Sequence, residues 1–202
     1  MTAAPSRVTL AAFGGTVLIG GSNFVAVKFS NDELAPLYGA AIRFTGAAAI
    51  FWLLTLVLSV PLPRGRAALG DAVYGALAVG AAYALLYFAL TEITIGIAAV
   101  IMATVPLFTL VLAVFHGQER LTVGGVVGAL LAIVGIGVLS LASIAGAVSA
   151  LHMVAAVGAA AAVAESSVLV KGFPRAHPVT TNAIGMVTGG LLLWAGSALM
   201  SE

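Results

Sequence analysis

Long apolar runs alternate with short polar breaks along this chain. Seven runs reach the roughly 20 residues a helix needs to cross a bilayer. They cover 8–29, 34–60, 72–92, 93–115, 121–142, 147–170 and 179–200. The breaks between them are "SNDELAP", "PLPRGRAALGD", "LTEITIG", "HGQERLT" and "KGFPRAHP"; the fifth-to-sixth joint, "SIAGAV", carries no charge. The pattern predicts an all-α polytopic membrane helix bundle.

Composition supports that solvent. Charged residues are 7% of the 202 and hydrophobic residues 62%, where a soluble domain carries about 25% charged. Mean hydropathy is +1.19. The first run follows Arg7 but exceeds a signal-peptide core, and no cleavage site follows it, so it reads as a retained helix. The net charge of +1 and the scattered basic residues give no reason to expect nucleic acid. Without cysteine there is no disulfide framework to read.

Basic residues in short loops orient the bundle. Arg7, Arg64, Arg66, Arg120, Lys171 and Arg175 fall on one side, and Lys28 alone on the other, beside Asp32 and Glu33. This places the N-terminus in the cytoplasm and the end of the seventh run outside, in the cell membrane. Gly124, Gly128 and Gly135 recur on one face of the fifth run, and Gly185 and Gly189 in the seventh, a spacing that lets backbones approach closely in lipid.

Sliding the chain along itself reveals a repeat. Pro36 falls on Pro178, Ala41 on Ala183, Ile42 on Ile184, Trp52 on Trp194 and Ser59 on Ser201. One residue further on, Lys28 falls on Lys171, and Ser22–Asn23 on Glu165–Ser166. Runs six and seven therefore read as a second copy of runs one and two. A repeat of five helices is odd, so the second copy enters the membrane from the opposite side. The expected units are a first five-helix repeat over 1–145 and an incomplete, inverted second repeat over 146–202. Carriers built from inverted repeats bind their solute near the midplane, at the repeat interface.

Several motifs now converge. "GGSNFVAVK", "PLYGAAIRFTGAA" and the stretch from "TEITIGIAAVIMATVP" through "GQER" to Gly128, Gly135 and Gly137 resemble, in order and spacing, the EamA-like family of the drug/metabolite transporter superfamily. The resemblance covers nearly the whole chain. Gly20 stands where the family usually has tryptophan. The family has ten helices in two repeats, and the chain looks truncated after the seventh. The resemblance implies a secondary transporter of small metabolites or drugs, with export the expected direction and alternating access between repeats.

Polar residues inside the runs are the candidate pathway. A charge at mid-bilayer costs about 2.5–3.5 kcal/mol on insertion scales, so it faces the protein or a water-filled cavity. Arg43 lies roughly 13 Å along its helix from Leu34 at 1.5 Å per residue. It would meet a solute anion or a carboxylate, or else bind backbone carbonyls. It is expected to point into the central cavity, towards Asn23 and towards Thr104 and Pro106. Asn23, beside Ser22, suits a solute or a neighbouring helix. Pro106 frees a backbone carbonyl in mid-helix. Glu165, beside Ser166, could carry a coupling proton or pair with Lys171. Lys28 and Glu92 are close enough to helix ends to snorkel. Glu119 and Arg120 read as a capping turn, and His116, His152 and His177 as interfacial residues without metal-ligand spacing. No nucleotide or hydrolase motif is present, so neither an enzyme, a cofactor nor a metal is expected. The partners expected are a small-molecule solute, membrane lipid and a coupling proton. The rival class is a non-transporting remnant or assembly partner.

Overall fold

The computed structural model describes residues 6–120, 122–144 and 149–202, and the regular elements among them are all helical. The helices follow the apolar runs. They are α1 (Arg7–Glu33), α2 (Pro36–Val57), α3 (Arg66–Ala89), α4 (Ile95–Phe115), α5 (Val123–Ile144), α6 (Ala150–Leu169) and α7 (Pro178–Leu199). Six of them, α1 to α4, α6 and α7, are long and apolar enough, by length and composition, to cross a membrane. The joint after α5 lies outside the described residues.

Local chemistry sets the ends. Ser6 caps α1 by accepting from the Thr9 N–H at 3.1 Å, and Thr94 caps α4 through the Ile97 N–H at 3.4 Å. Proline opens α2 and α7, where its missing N–H costs nothing. Inside α4, Pro106 has the opposite effect. Its ring displaces the carbonyl four residues back, and the helix breaks at Ala103–Thr104 between Ile95–Met102 and Val105–Phe115. In α3, a π-helical stretch over Ala76–Ala81 separates two α-helical parts.

Two boundaries differ from the sequence reading. The "SNDELAP" break is shorter than expected, because α1 continues through Asn31 and Asp32 to Glu33. The third helix starts at Arg66 rather than 72, since Gly65 takes a left-handed φ of 56° and turns the chain into it. This brings Asp71, expected in a loop, into the helix.

α2 and α7 form the most extensive helix contact. They run antiparallel: the Glu202 carboxylate accepts from the Leu37 and Tyr38 N–H groups at 2.8 and 3.1 Å, while Phe44 lies against Gly190 near the middle. Trp194 donates to the Thr45 hydroxyl at 3.0 Å and packs edge-on against Tyr38. The two helices also end alike. Each has 22 residues. Each closes on a serine with positive φ, Ser59 at 50° and Ser201 at 57°.

The central packing uses small residues. α3 and α7 cross so closely that a Cβ on Gly75 would run into the Gly185 backbone, and one on Gly189 would strike Val79. α6 presents Ala155, Ala156, Ala159, Ala160 and Ala164, all buried, to α3 and α4. The glycines expected to pack on α5 do otherwise. A Cβ on Gly124, Gly128 or Gly135 would meet nothing within 4 Å among the described residues, and one on Gly125 would instead run into Leu110.

Candidate solute pathway

α1, α2, α3, α4, α6 and α7 together enclose a cavity of about 410 Å³. Its walls are mostly apolar and aromatic: Phe24 from α1, Phe44 from α2, Tyr74 and Tyr83 from α3, Met102 from α4, Val163 from α6 and Met186 from α7. Two amides break the apolar surface, Asn23 on α1 and Asn182 on α7. The volume and lining fit a small-molecule site, largely apolar with a few placed polar groups. The π-helical stretch of α3 supplies Ala78 and Val79 to the wall. Such insertions recur at functional sites.

Arg43 is placed beside this cavity rather than in it. Its guanidinium donates to Asn23 Oδ1 and lies 5.5 and 5.6 Å from the ring centres of Phe44 and Tyr83. Those two rings meet edge-on at 4.6 Å. Arg43 therefore grips three wall residues from behind, through a charge-assisted hydrogen bond and two ring faces. With Ser22 and Asn23 it lines a lateral groove of about 400 Å³ between α1 and α2. The expected approach to Asn23 is present. The expected approach to Thr104 and Pro106 is not, because Thr104 donates to the Ile101 carbonyl at 2.6 Å and Pro106 opens the second part of α4 on an exposed face. Their neighbour Met102 reaches the cavity instead.

Glu165 and Ser166 stand apart from the cavity. Glu165 pairs with His116 at 3.2 Å, linking α6 to the end of α4. Its partner is thus His116, not Lys171. Ser166 is 1% exposed and donates back to the Val163 carbonyl at 2.6 Å. Lys28 does more than snorkel. Its ammonium reaches the Leu90 carbonyl at 3.4 Å as well as Asp32 at 3.8 Å. His152 is not merely interfacial: it stacks on Phe88 with ring centres 4.4 Å apart. Among the described residues no cluster could hold a metal ion.

Asn182, Tyr74, Tyr83, Asn31 and Asp71 went unread in the sequence. Asn182 was visible as a polar residue one turn into an apolar run. Asn182 donates its Nδ2–H to Pro178 O at 2.8 Å, leaving Oδ1 as an acceptor. Asn23 has given its Oδ1 to Arg43 and keeps its NH₂ as a donor. The cavity thus offers a donor on α1 and an acceptor on α7.

The chain is similar to known transporters. The model of the EamA-like transporter family matches residues 8–141. An uncharacterized transporter of Archaeoglobus fulgidus is 29% identical over 184 residues, covering 89% of this chain and 63% of its own length. The uncharacterized inner membrane transporter YedA of Escherichia coli K12 is 33% identical over 94 residues, covering 46% of this chain and 31% of its own length. The chain thus spans less than two thirds of the curated relatives it matches. No solved structure matches it.

Proposed function

The chain belongs to the EamA-like transporter family, and on that premise we propose that it is a secondary carrier for a small solute, alternating access between inverted repeats. The observation that carries this reading is the shared cavity. Helices of the first unit, 1–145, and of the second, 146–202, both contribute walls to it. Motion of one unit against the other would open that space to alternate sides. The recurring boundaries of α2 and α7, and their antiparallel contact, support an inverted repeat.

In this reading Asn23 and Asn182 hydrogen-bond the solute, the aromatic and methionine walls cover its apolar body, and Arg43 holds Asn23 and Tyr83 in place. Export is the direction, driven by a proton or solute gradient, across the plasma membrane with the N-terminus inside. A cysteine at Gly65 should then label from the cytoplasm and one at Glu33 from outside; labelling of both from one side would overturn the orientation.

The carrier reading is tested by filling the cavity. Ala78→Trp should abolish saturable flux of small metabolites from vesicles while leaving membrane insertion intact. Flux equal to the parent protein would refute a path through this space. The rival reading, an assembly partner, draws on α1, whose most apolar window is only 6% buried. It expects no saturable flux from the parent protein and co-assembly with other chains unaffected by Ala78→Trp.

A further inference from the structure

Asp71 is a carboxylate on a membrane helix, 3% exposed. Its Oδ2 is buried with no hydrogen-bond partner among the described residues. It sits in the α3–α7 seam, where its own carbonyl lies beside Gly185 and the Thr181 side chain of α7 is set against its carboxyl. The titratable groups on the surrounding elements are these: α3 carries Arg66, Tyr74, Tyr83 and Tyr87, α6 carries His152 and Glu165, and the turn leading into α7 carries Lys171, Arg175 and His177. α7 itself carries none over Pro178–Leu199. Neither ion pair among the described residues includes Asp71.

A buried ion without a counter-ion is costly. What Asp71 has instead is the first turn of α7, the positive end of a helix dipole worth about half a charge, together with the Thr181 hydroxyl. That is partial compensation for an ionised carboxylate. A protonated one removes the charge and leaves only a polar hydroxyl to satisfy, and its proton can reside on Oδ2, the atom that now has no partner. The site therefore accommodates both forms, and the two forms hold α7 differently.

We propose that Asp71 is a proton-binding site that ties α3 to α7 when ionised and loosens that seam when protonated. Binding is a simple addition of one proton to Oδ2; no other bond changes. The seam joins the two units whose relative motion the carrier reading invokes, so on that reading the proton bound here is the one coupled to transport. Tyr74, one turn along α3, and Asn182, the residue after Thr181, both line the cavity. A change at the seam is thus one step from the solute.

The test needs no solute, so its outcome is independent of whether the carrier reading holds. Infrared difference spectra of the full chain in lipid bilayers, mildly acidic minus mildly alkaline, should show a carboxylic-acid C=O band. Asp71→Asn should lose it and Glu165→Gln should keep it. Asp71→Glu, which retains a carboxyl one methylene further out, should shift the band rather than remove it. A spectrum unchanged by Asp71→Asn, or a band unmoved in Asp71→Glu, would overturn the proposal. So would a band that disappears in Glu165→Gln.

Discussion

α1 and α6 hold corresponding places in the two proposed repeats, yet their surroundings differ sharply. The most apolar window of α6 is 39% buried and that of α1 is 6% buried. Their mean hydropathies, 1.9 and 1.6, are close. Hydropathy reports that a helix belongs in lipid; it does not report how many protein neighbours it has. Small side chains permit close neighbours but do not by themselves bring them. α6 turns a file of alanines to its neighbours, so α3 and α4 can come close without side-chain entropy being lost. α1 carries Gly14, Gly15, Gly20 and Gly21, and a Cβ added at any of them would find open space among the described residues. Apart from Phe24 and Val27, which join the apolar core, its ties to other helices are polar and come from Asn23 onward: Asn23 to Arg43, Lys28 to the Leu90 carbonyl and Asn31 to the Tyr87 carbonyl. α6 is packed along its length, whereas α1 is tethered towards one end.

The largest expected effect separates these two modes. Ala160 of α6 is fully buried, so Ala160→Leu should destabilise the bundle by about 1–3 kcal/mol, the usual cost of overpacking. Gly15→Leu on α1 should change stability little. Thermal unfolding in detergent compares them directly. Equal losses would mean that α1 is as closely surrounded as α6.

Arg43 should give the next largest effect, and on function rather than folding. Arg43→Ala releases Asn23 and two wall rings together, and flux in vesicles should fall steeply at matched protein levels. Arg43→Lys should rescue only in part, because an ammonium lacks the planar group that bonds Asn23 while lying against both rings. Normal flux in Arg43→Ala would remove Arg43 from the pathway. Loss of insertion as well as flux would make its grip on Asn23 part of folding.

The helices were legible in the sequence because each is a long apolar run; Pro36 and Pro178 suggested that α2 and α7 correspond, but not that they pack together. The neighbourhood of Arg43 was legible only on the Asn23 side. Its rings, Phe44 and Tyr83, lie on different helices, and aromatic residues in a membrane span do not announce which ones meet. Asp71 was lost for a definite reason. The polar break "PLPRGRAALGD" was read to its last charged residue, whereas Gly65 turns the chain early enough to bury Asp71. The pairing of Glu165 with His116 needed the crossing of α4 and α6, which spacing along the chain cannot supply. Lys171, closer in sequence, was the nearer guess.

The smallest expected effect bears most directly on how α1 is attached. The last carbonyls of any helix lack an internal donor, and within a bilayer there is no water to satisfy them. At the end of α3, the Leu90 and Ile93 N–H groups return to the Leu86 and Ala89 carbonyls, and the Thr91 N–H to that of Phe88. The Tyr87 and Leu90 carbonyls receive α1 side chains instead, Asn31 at 3.0 Å and Lys28 at 3.4 Å. α1 is thus the cap of α3, which helps to hold in place a helix with few buried residues. Asn31→Ala leaves the Tyr87 carbonyl without that donor and should cost about 0.6 kcal/mol, the typical value for a hydrogen bond between membrane helices. A shift so small would be hard to see in global unfolding, but local opening reveals it. Val27, one turn away on α1, is fully buried. A cysteine placed there should react faster with a thiol reagent in Asn31→Ala than in the parent protein. A cysteine at Ala156 on α6, equally buried, should not. If the residue-27 cysteine stays as protected as before, α1 is held by its apolar contacts after all, and the contrast with α6 is one of degree.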